Sequence, residues 1–277
     1  LVPGLVEAQR LAETSSWRHP VDLPGLLEEV YEELDSLIDE GGQGLTTWTG
    51  HEELAELVLD GEPAHVLGEI KDLVQRGVPL IELSASVAYA AARRAVHFHV
   101  ANSFSDWNTV HHTFTYANAV DQALRRIPSK LLARGIFDGA MSVYLERFLN
   151  VPKQPVPEPS GRDVSREDVL AAIDSYGGVD ETAQLVADMI AMGREEEVVQ
   201  TLGHALLRED AGFHQFQIYE AGVRQYRQFA LRPAGGQILI GMARFIAAHA
   251  PTMRSMGQTY DIATRLHRGE GLYGQEE

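Results

Sequence analysis

The chain has 277 residues, 40 acidic against 23 basic for a formal net charge of −17, with 11 histidines and no cysteine. A chain this long can bury roughly three quarters of its unfolded surface, so its core needs neither disulfides nor a structural metal. Without cysteine, thiolate zinc sites, iron–sulfur ligation and cysteine nucleophiles are excluded from this chain, and the charge argues against sequence-independent binding to DNA or RNA.

The expected elements are helices throughout. Pro24 suits the first turn of a helix over 24–40, and Gly41-Gly42 stops it. In that helix Leu27, Val30, Leu34 and Leu37 recur at helical spacing among Glu28, Glu29, Glu32, Glu33, Asp35, Asp39 and Glu40, the pattern of one apolar and one solvated face. Residues 50–60 follow, ended by Gly61; Pro63 opens 63–76, and Pro79 opens an Ala-rich segment to about 101. Ser105 or Asp106 can cap 106–126, and Ser129 can cap 130–149. Residues 151–164 hold four prolines within 151–160 and read as an extended internal linker between two helical halves. Ser165 and Asp168 form a capping-box pattern before 166–176, and Asp180 can cap 181–192. A long helix is expected over 195–229. Pro233 and Gly235-Gly236 end it, a helix over 237–249 follows, and Pro251 opens a last one to about 268. The chain therefore reads as one all-α domain over 1–277, a bundle of about ten helices.

Nothing in the sequence reads as a targeting or membrane segment. Residues 1–4 lack the basic start and apolar core of a signal peptide. The most apolar stretch, 238–250, is interrupted by Arg244 and His249 and is too short to span a bilayer. A cytoplasmic protein is the expectation.

Charge is uneven along the chain. Residues 1–62 carry 15 acids and 2 bases, whereas residues 63–156 carry 7 acids and 10 bases. The near-neutral middle also holds the densest histidines. A first group is His65 with Glu69 one turn on and Glu62 three residues before, the carboxylate–histidine spacing of di-iron bundles. A second is His97 and His99, then His111 and His112. At about 100° per residue, neighbours in such pairs leave on different faces, so one of each is expected to reach a shared centre. His99 continues the series Val87, Ala91, Ala95 and is the inward candidate; His112 shares a face with Thr115 and Tyr116, His111 with Phe114 and Asn118. The third group is His204, Asp210 and His214, with Asp210 and His214 four apart. Its neighbours are apolar on almost every side, and imidazoles or carboxylates in such a helix need partners. Mutual coordination of a metal is one answer, since neutral imidazole binds Fe, Zn, Cu or Ni without thiolate. A hydrogen-bonded core is the other. His19, His51, His249 and His267 fall near element ends and read as solvated or capping. No His-Glu-x-x-His, P-loop or Gly-x-Ser-x-Gly motif occurs.

The segments 107–119 (WNTVHHTFTYANA), 204–217 (HALLREDAGFHQFQ) and 248–252 (AHAPT) resemble a helical domain of actinobacterial and archaeal proteins, some of which carry an additional Rieske domain. More distantly, the order of histidine segments is similar to the questin oxidase family. The resemblance covers roughly residues 60–230. It implies an all-helical fold and a non-haem iron centre held mainly by histidines, activating dioxygen on an organic substrate. Carried over by position, it implies His65, His99, His112 with Thr115, and either His204 or His214 as metal ligands. Asp210 is then a further ligand or a partner that orients an imidazole, and Tyr116, with Trp107, Phe114 and Phe213, a candidate wall of the substrate cavity. A small-molecule substrate is implied. With no cysteine in the chain, any Rieske or ferredoxin-type electron donor is a separate protein. A di-iron oxidase resembling haem-oxygenase-like enzymes, built on the Glu62/His65 and Asp210/His214 pairs, is the alternative among enzymes; a non-catalytic ligand-binding or partner module is the alternative outside them.

Overall fold

The computed structural model describes residues 21–41, 48–230 and 232–270, and among these every regular element is helical. In chain order they are α1 (Leu23–Glu40), α2 (His51–Asp60), α3 (Pro63–Gln75), α4 (Leu80–Val96), α5 (Phe104–Arg126), α6 (Lys130–Leu145), α7 (Arg166–Ile173), α8 (Val179–Ala191), α9 (Glu195–Arg208), α10 (Phe213–Phe229), α11 (Pro233–Ala248) and α12 (Ser255–His267). A short 3-10 turn, Arg147–Asn150, follows α6. The all-α reading holds, with twelve helices among the described residues where about ten were expected. His19 lies outside the described residues.

The caps follow the sequence closely. Ser165 and Asp168 close a reciprocal capping box on α7. On α5 the cap is Ser103, two residues ahead of the expected one, with Asp106 as its return partner. Pro233 sits at the first turn of α11, so Gly235-Gly236 lies inside the helix and does not break it. A Cβ on Gly235 would stand 2.6 Å from the Phe229 carbonyl oxygen, which explains why that position lacks one.

Two expected helices are cut short or split by distant segments. The Ala-rich segment stops at Val96, not near 101. Beyond it the His97 carbonyl accepts from the Gln154 amide at 3.0 Å, and its Nδ1 lies 2.8 Å from the Gln154 carbonyl oxygen, so the proline-rich segment takes the place of another helical turn. The long helix expected over 195–229 is two helices with a break at 209–212. There the Glu209 and Asp210 side chains turn to residues 252–256 and serve that segment.

Packing is organised around α4, which is buried on nearly its whole circumference. Its alanines let neighbours come close: a Cβ on Gly241 of α11 would stand 2.9 Å from the Ala92 carbonyl oxygen. α1 covers one side through Leu23, Leu27, Val30 and Leu34, leaving its glutamates exposed as the amphipathic pattern requires. Two guanidiniums are wholly interior. Arg94 donates to the Leu59 and Val143 carbonyls near the ends of α2 and α6 and to the Asn150 side chain. Arg244, visible in sequence as the lone charge in an apolar run, joins Asp180 on α8 to the Phe98 carbonyl. Because Asp180 lies in the first turn of α8 and pairs with Arg244, it does not act as the expected cap; Gly178 precedes the helix.

The proline-rich segment 151–164 does connect the helices before it to those after it, but it is strapped down along its length. Ser160 donates to Asp188 through its amide and hydroxyl, Gln184 donates to the Glu158 carbonyl, and Val164 is buried under Arg194. The flanking halves pack directly on each other: α11 lies on α4, and α10 on α5. Among the described residues no helix is long and apolar enough to cross a membrane.

Candidate metal centre

Helices α5 and α10 run parallel. The pairs His111 with Gln217, Asn118 with Gln225 and Asp121 with Gln228 are 106, 107 and 107 residues apart, so one register holds over about three turns. Toward the C-terminal end of this contact sits Asp121, fully buried, accepting from Ser84 of α4, Arg125, Gln225 and Gln228 at 2.7–3.1 Å. At the N-terminal end the same two helices bring three imidazoles together.

His111, His112 and His214 place one ligand nitrogen each within 4.8 Å of the others. The ring centroids are 5.2 Å apart for His111 and His112, 5.0 Å for His111 and His214, and 4.8 Å for His112 and His214. His111 is buried, His214 half-buried and His112 exposed, so the cluster opens to solvent on one side. The expectation that only one of His111 and His112 faces a common centre is corrected. The first turn of α10 lies across the groove between their two directions, and His214 meets both arms. The group is all imidazole: among the described residues no Asp or Glu joins it.

His111 and His112 are held neutral. Burial, aided by the neighbouring His112, drives the pKa of His111 down to about 3. Burial lowers that of His112 as well, with His214 adding to the effect. The amide oxygen of Gln217 takes a hydrogen bond from His111 Nε2 at 3.3 Å, which leaves Nδ1 with its lone pair; that atom is buried and has no partner. An orphaned, buried, basic nitrogen beside two more imidazoles is the arrangement a cation would satisfy. Metal–imidazole bonds are about 2.0–2.1 Å, so ring rotation suffices to seat one ion on all three.

Phenylalanines frame the site. Phe213 packs on His214 at 4.0 Å, and Phe245 of α11 lies 5.0 Å from His111. Phe104, on the same stripe of α5 as His111, packs on His249 at 4.5 Å.

Of the residues expected in the centre, His112 and His214 are there and five others stand elsewhere. His65 is exposed on α3 and His204 is exposed on α9. His99 lies beyond the end of α4, where its Nδ1 accepts from the Ala101 amide; the buried member of that pair is His97. Asp210 is not on a helix with His214. Its carboxylate accepts from the Ser255 amide and hydroxyl and the Met256 amide at 2.8–2.9 Å, capping α12, and these bonds lower its pKa. Tyr116 leaves α5 toward α6. It bonds Asp138, which also receives the Tyr31 hydroxyl, and burial followed by that carboxylate raises its pKa. Of the other proposed walls, Phe213 borders the cluster, and Trp107 is buried against Phe98 and Phe245.

The sequence reading passed over His111 as a ligand, and it set aside His249 and His51 as peripheral. His51 is buried, its Nδ1 2.8 Å from the Ser86 hydroxyl and its Nε2 3.0 Å from Glu82, joining α2 to α4. His249 is half-buried at the end of α11 and bonds the Phe245 carbonyl. His267 is exposed at the end of α12, as expected. The three segments 107–119, 204–217 and 248–252 all reach this end of the molecule. Comparison with known family models, curated proteins and solved structures gives no match for this chain.

Proposed function

We propose that the protein is a metal-dependent oxidoreductase, a non-haem iron oxygenase or oxidase acting on a small organic substrate, with His111, His112 and His214 as the metal ligands. The observation that carries this reading is the buried, unpartnered Nδ1 of His111 beside two further imidazoles. Three imidazole nitrogen donors suit divalent iron and leave coordination positions free. When bound, iron would supply the activation of dioxygen.

The chain's own contribution is positional. Gln217 fixes the ring orientation and tautomer of His111. Phe104 and Phe213, largely exposed beside the cluster, supply an apolar rim that holds a substrate and sheds water from the ligand side. The opening at His112 provides the entry. Reducing equivalents come from a separate Rieske- or ferredoxin-type protein, and the setting is the cytoplasm.

The di-iron alternative draws no support from the geometry. The Glu62/His65 pair is exposed on a different helix, and Asp210 is committed to a helix cap. Elemental analysis of untagged protein tests the proposal. One iron per chain is expected, falling sharply in His111→Ala and His214→Ala and unchanged in His267→Ala. Protein that carries no transition metal and takes up none on addition overturns it.

A further inference from the structure

The three-histidine group does not exhaust the unsatisfied atoms at this end of the bundle. His249 donates Nδ1–H to the Phe245 carbonyl at 2.7 Å. A carbonyl oxygen can only accept, so in the neutral ring the proton is on Nδ1 and Nε2 carries a lone pair. That Nε2 is buried and has no partner. Burial lowers the pKa of His249, keeping the ring neutral, and His214 acts on it electrostatically, as His249 acts on His111. Its ring stacks at 4.1 Å on Phe245, the same phenylalanine that touches His111.

A second orphan lies on α5. Asn108 is one turn before His111 and His112 on the same face, and its Oδ1 is buried without a partner. Both orphans are acceptors. Two buried acceptors with nothing to accept from call for a hydrogen-bond donor.

Resting on the metal reading above, we infer that His249 Nε2 and Asn108 Oδ1 form an outer acceptor pair for whatever occupies the open position on the metal. His249 stands outside the group of atoms close enough to share the ion, yet within electrostatic reach of two of its members. With a metal bound, the pair would accept from a water held at that position. It would favour a substrate that presents a hydroxyl or amine hydrogen and disfavour one that presents a carboxylate or phosphate, which has no proton to give. His249 is a positioning residue in this scheme.

Zinc is the probe, with binding read by competition against a chelator and with no turnover required. His249→Leu is expected to weaken zinc by about 10–100-fold, the usual cost of losing a partner to the metal's own ligands. His249→Gln, which returns an acceptor oxygen near the Nε2 position, is expected to recover most of that loss. Melting of each metal-free variant reports whether it folds. On the wild type itself, histidine-selective 15N NMR should show the His249 Nε2 resonance move on zinc addition while remaining a non-coordinated nitrogen. Zinc bound as tightly by His249→Leu as by wild type, or a His249 resonance that zinc does not shift or that zinc coordinates directly, overturns the inference and leaves the three-histidine reading standing. Wild-type protein that binds no zinc, cobalt or iron overturns both.

Discussion

The two ends of the α5–α10 contact present opposite solutions to the same problem. Both bury polar side chains between parallel helices. At the Asp121 end the carboxylate takes hydrogen bonds from α4, α5 and α10, with Gln225 Oε1 as the buried atom left over. At the histidine end, one ring nitrogen each of His111 and His249 and the amide oxygen of Asn108 are buried without partners. Unsatisfied buried groups cost about 1–3 kcal/mol each, so natural proteins hold few of them without a reason. On the proposed reading, one end serves stability and the other ligand binding.

The sharpest way to break that contrast is Asp121→Ala. It strands Arg125, Gln225, Gln228 and Ser84 around a void, and unfolding by denaturant should show a loss of about 3–5 kcal/mol. A slightly smaller effect is expected from pH at Glu146, a carboxyl at the end of α6 that receives the Thr113 hydroxyl. Burial pushes its pKa up to about 8 from an ordinary 4.5. The folded protein therefore holds a proton that the unfolded chain releases above 4.5. This contribution to stability is complete below pH 4.5 and declines as pH rises through 8. The stability of wild type relative to Glu146→Gln, read from melting at each pH, should fall by a few kcal/mol across that window. Third is metal loading, which should raise stability by about 2.7 kcal/mol at a free concentration a hundred times the Kd. Equal melting with and without metal would erase the functional half of the contrast. Smallest is His111→Leu in the metal-free protein. Removing an orphaned nitrogen and keeping the volume should change stability by under about 1 kcal/mol, although metal binding is lost. A large destabilisation there would make the histidine end structural too.

Sequence reasoning reached the helices because caps and periodicity are local. Ser165 with Asp168, Pro24 and Pro63 act within one or two turns of themselves, so their meaning survives without tertiary context. It failed where a side chain answers to a distant segment. Glu209 and Asp210 look like members of a continuous helix, yet Glu209 is taken by Thr252 and Arg254 and Asp210 by Ser255 and Met256. His99 was favoured over His97 by extending a helix that Gln154 stops. His112 and His214 were legible as part of a dense, oddly polar set of histidines. His111 was not, because helical geometry alone cannot say that α10 begins between two neighbouring rings. His249 looked like an end residue, and its significance lies in an atom left over after the backbone bond is counted.

The break at 209–212 has a consequence for how this end of the protein opens. Helix α12 buries none of its residues, and a helix of 13 residues is marginal by itself in water. Tethers at its start include the Asp210 cap and the Glu209–Arg254 pair, rooted in the turn that launches His214, and the Asp174–Arg254 pair at the end of α7. The turn and α12 thus constitute one cooperative unit of low local stability. Fraying of that unit loosens the His214 limb and the chain after His249 together, so amide exchange in α12 is an external gauge of how firmly the imidazole cluster is held.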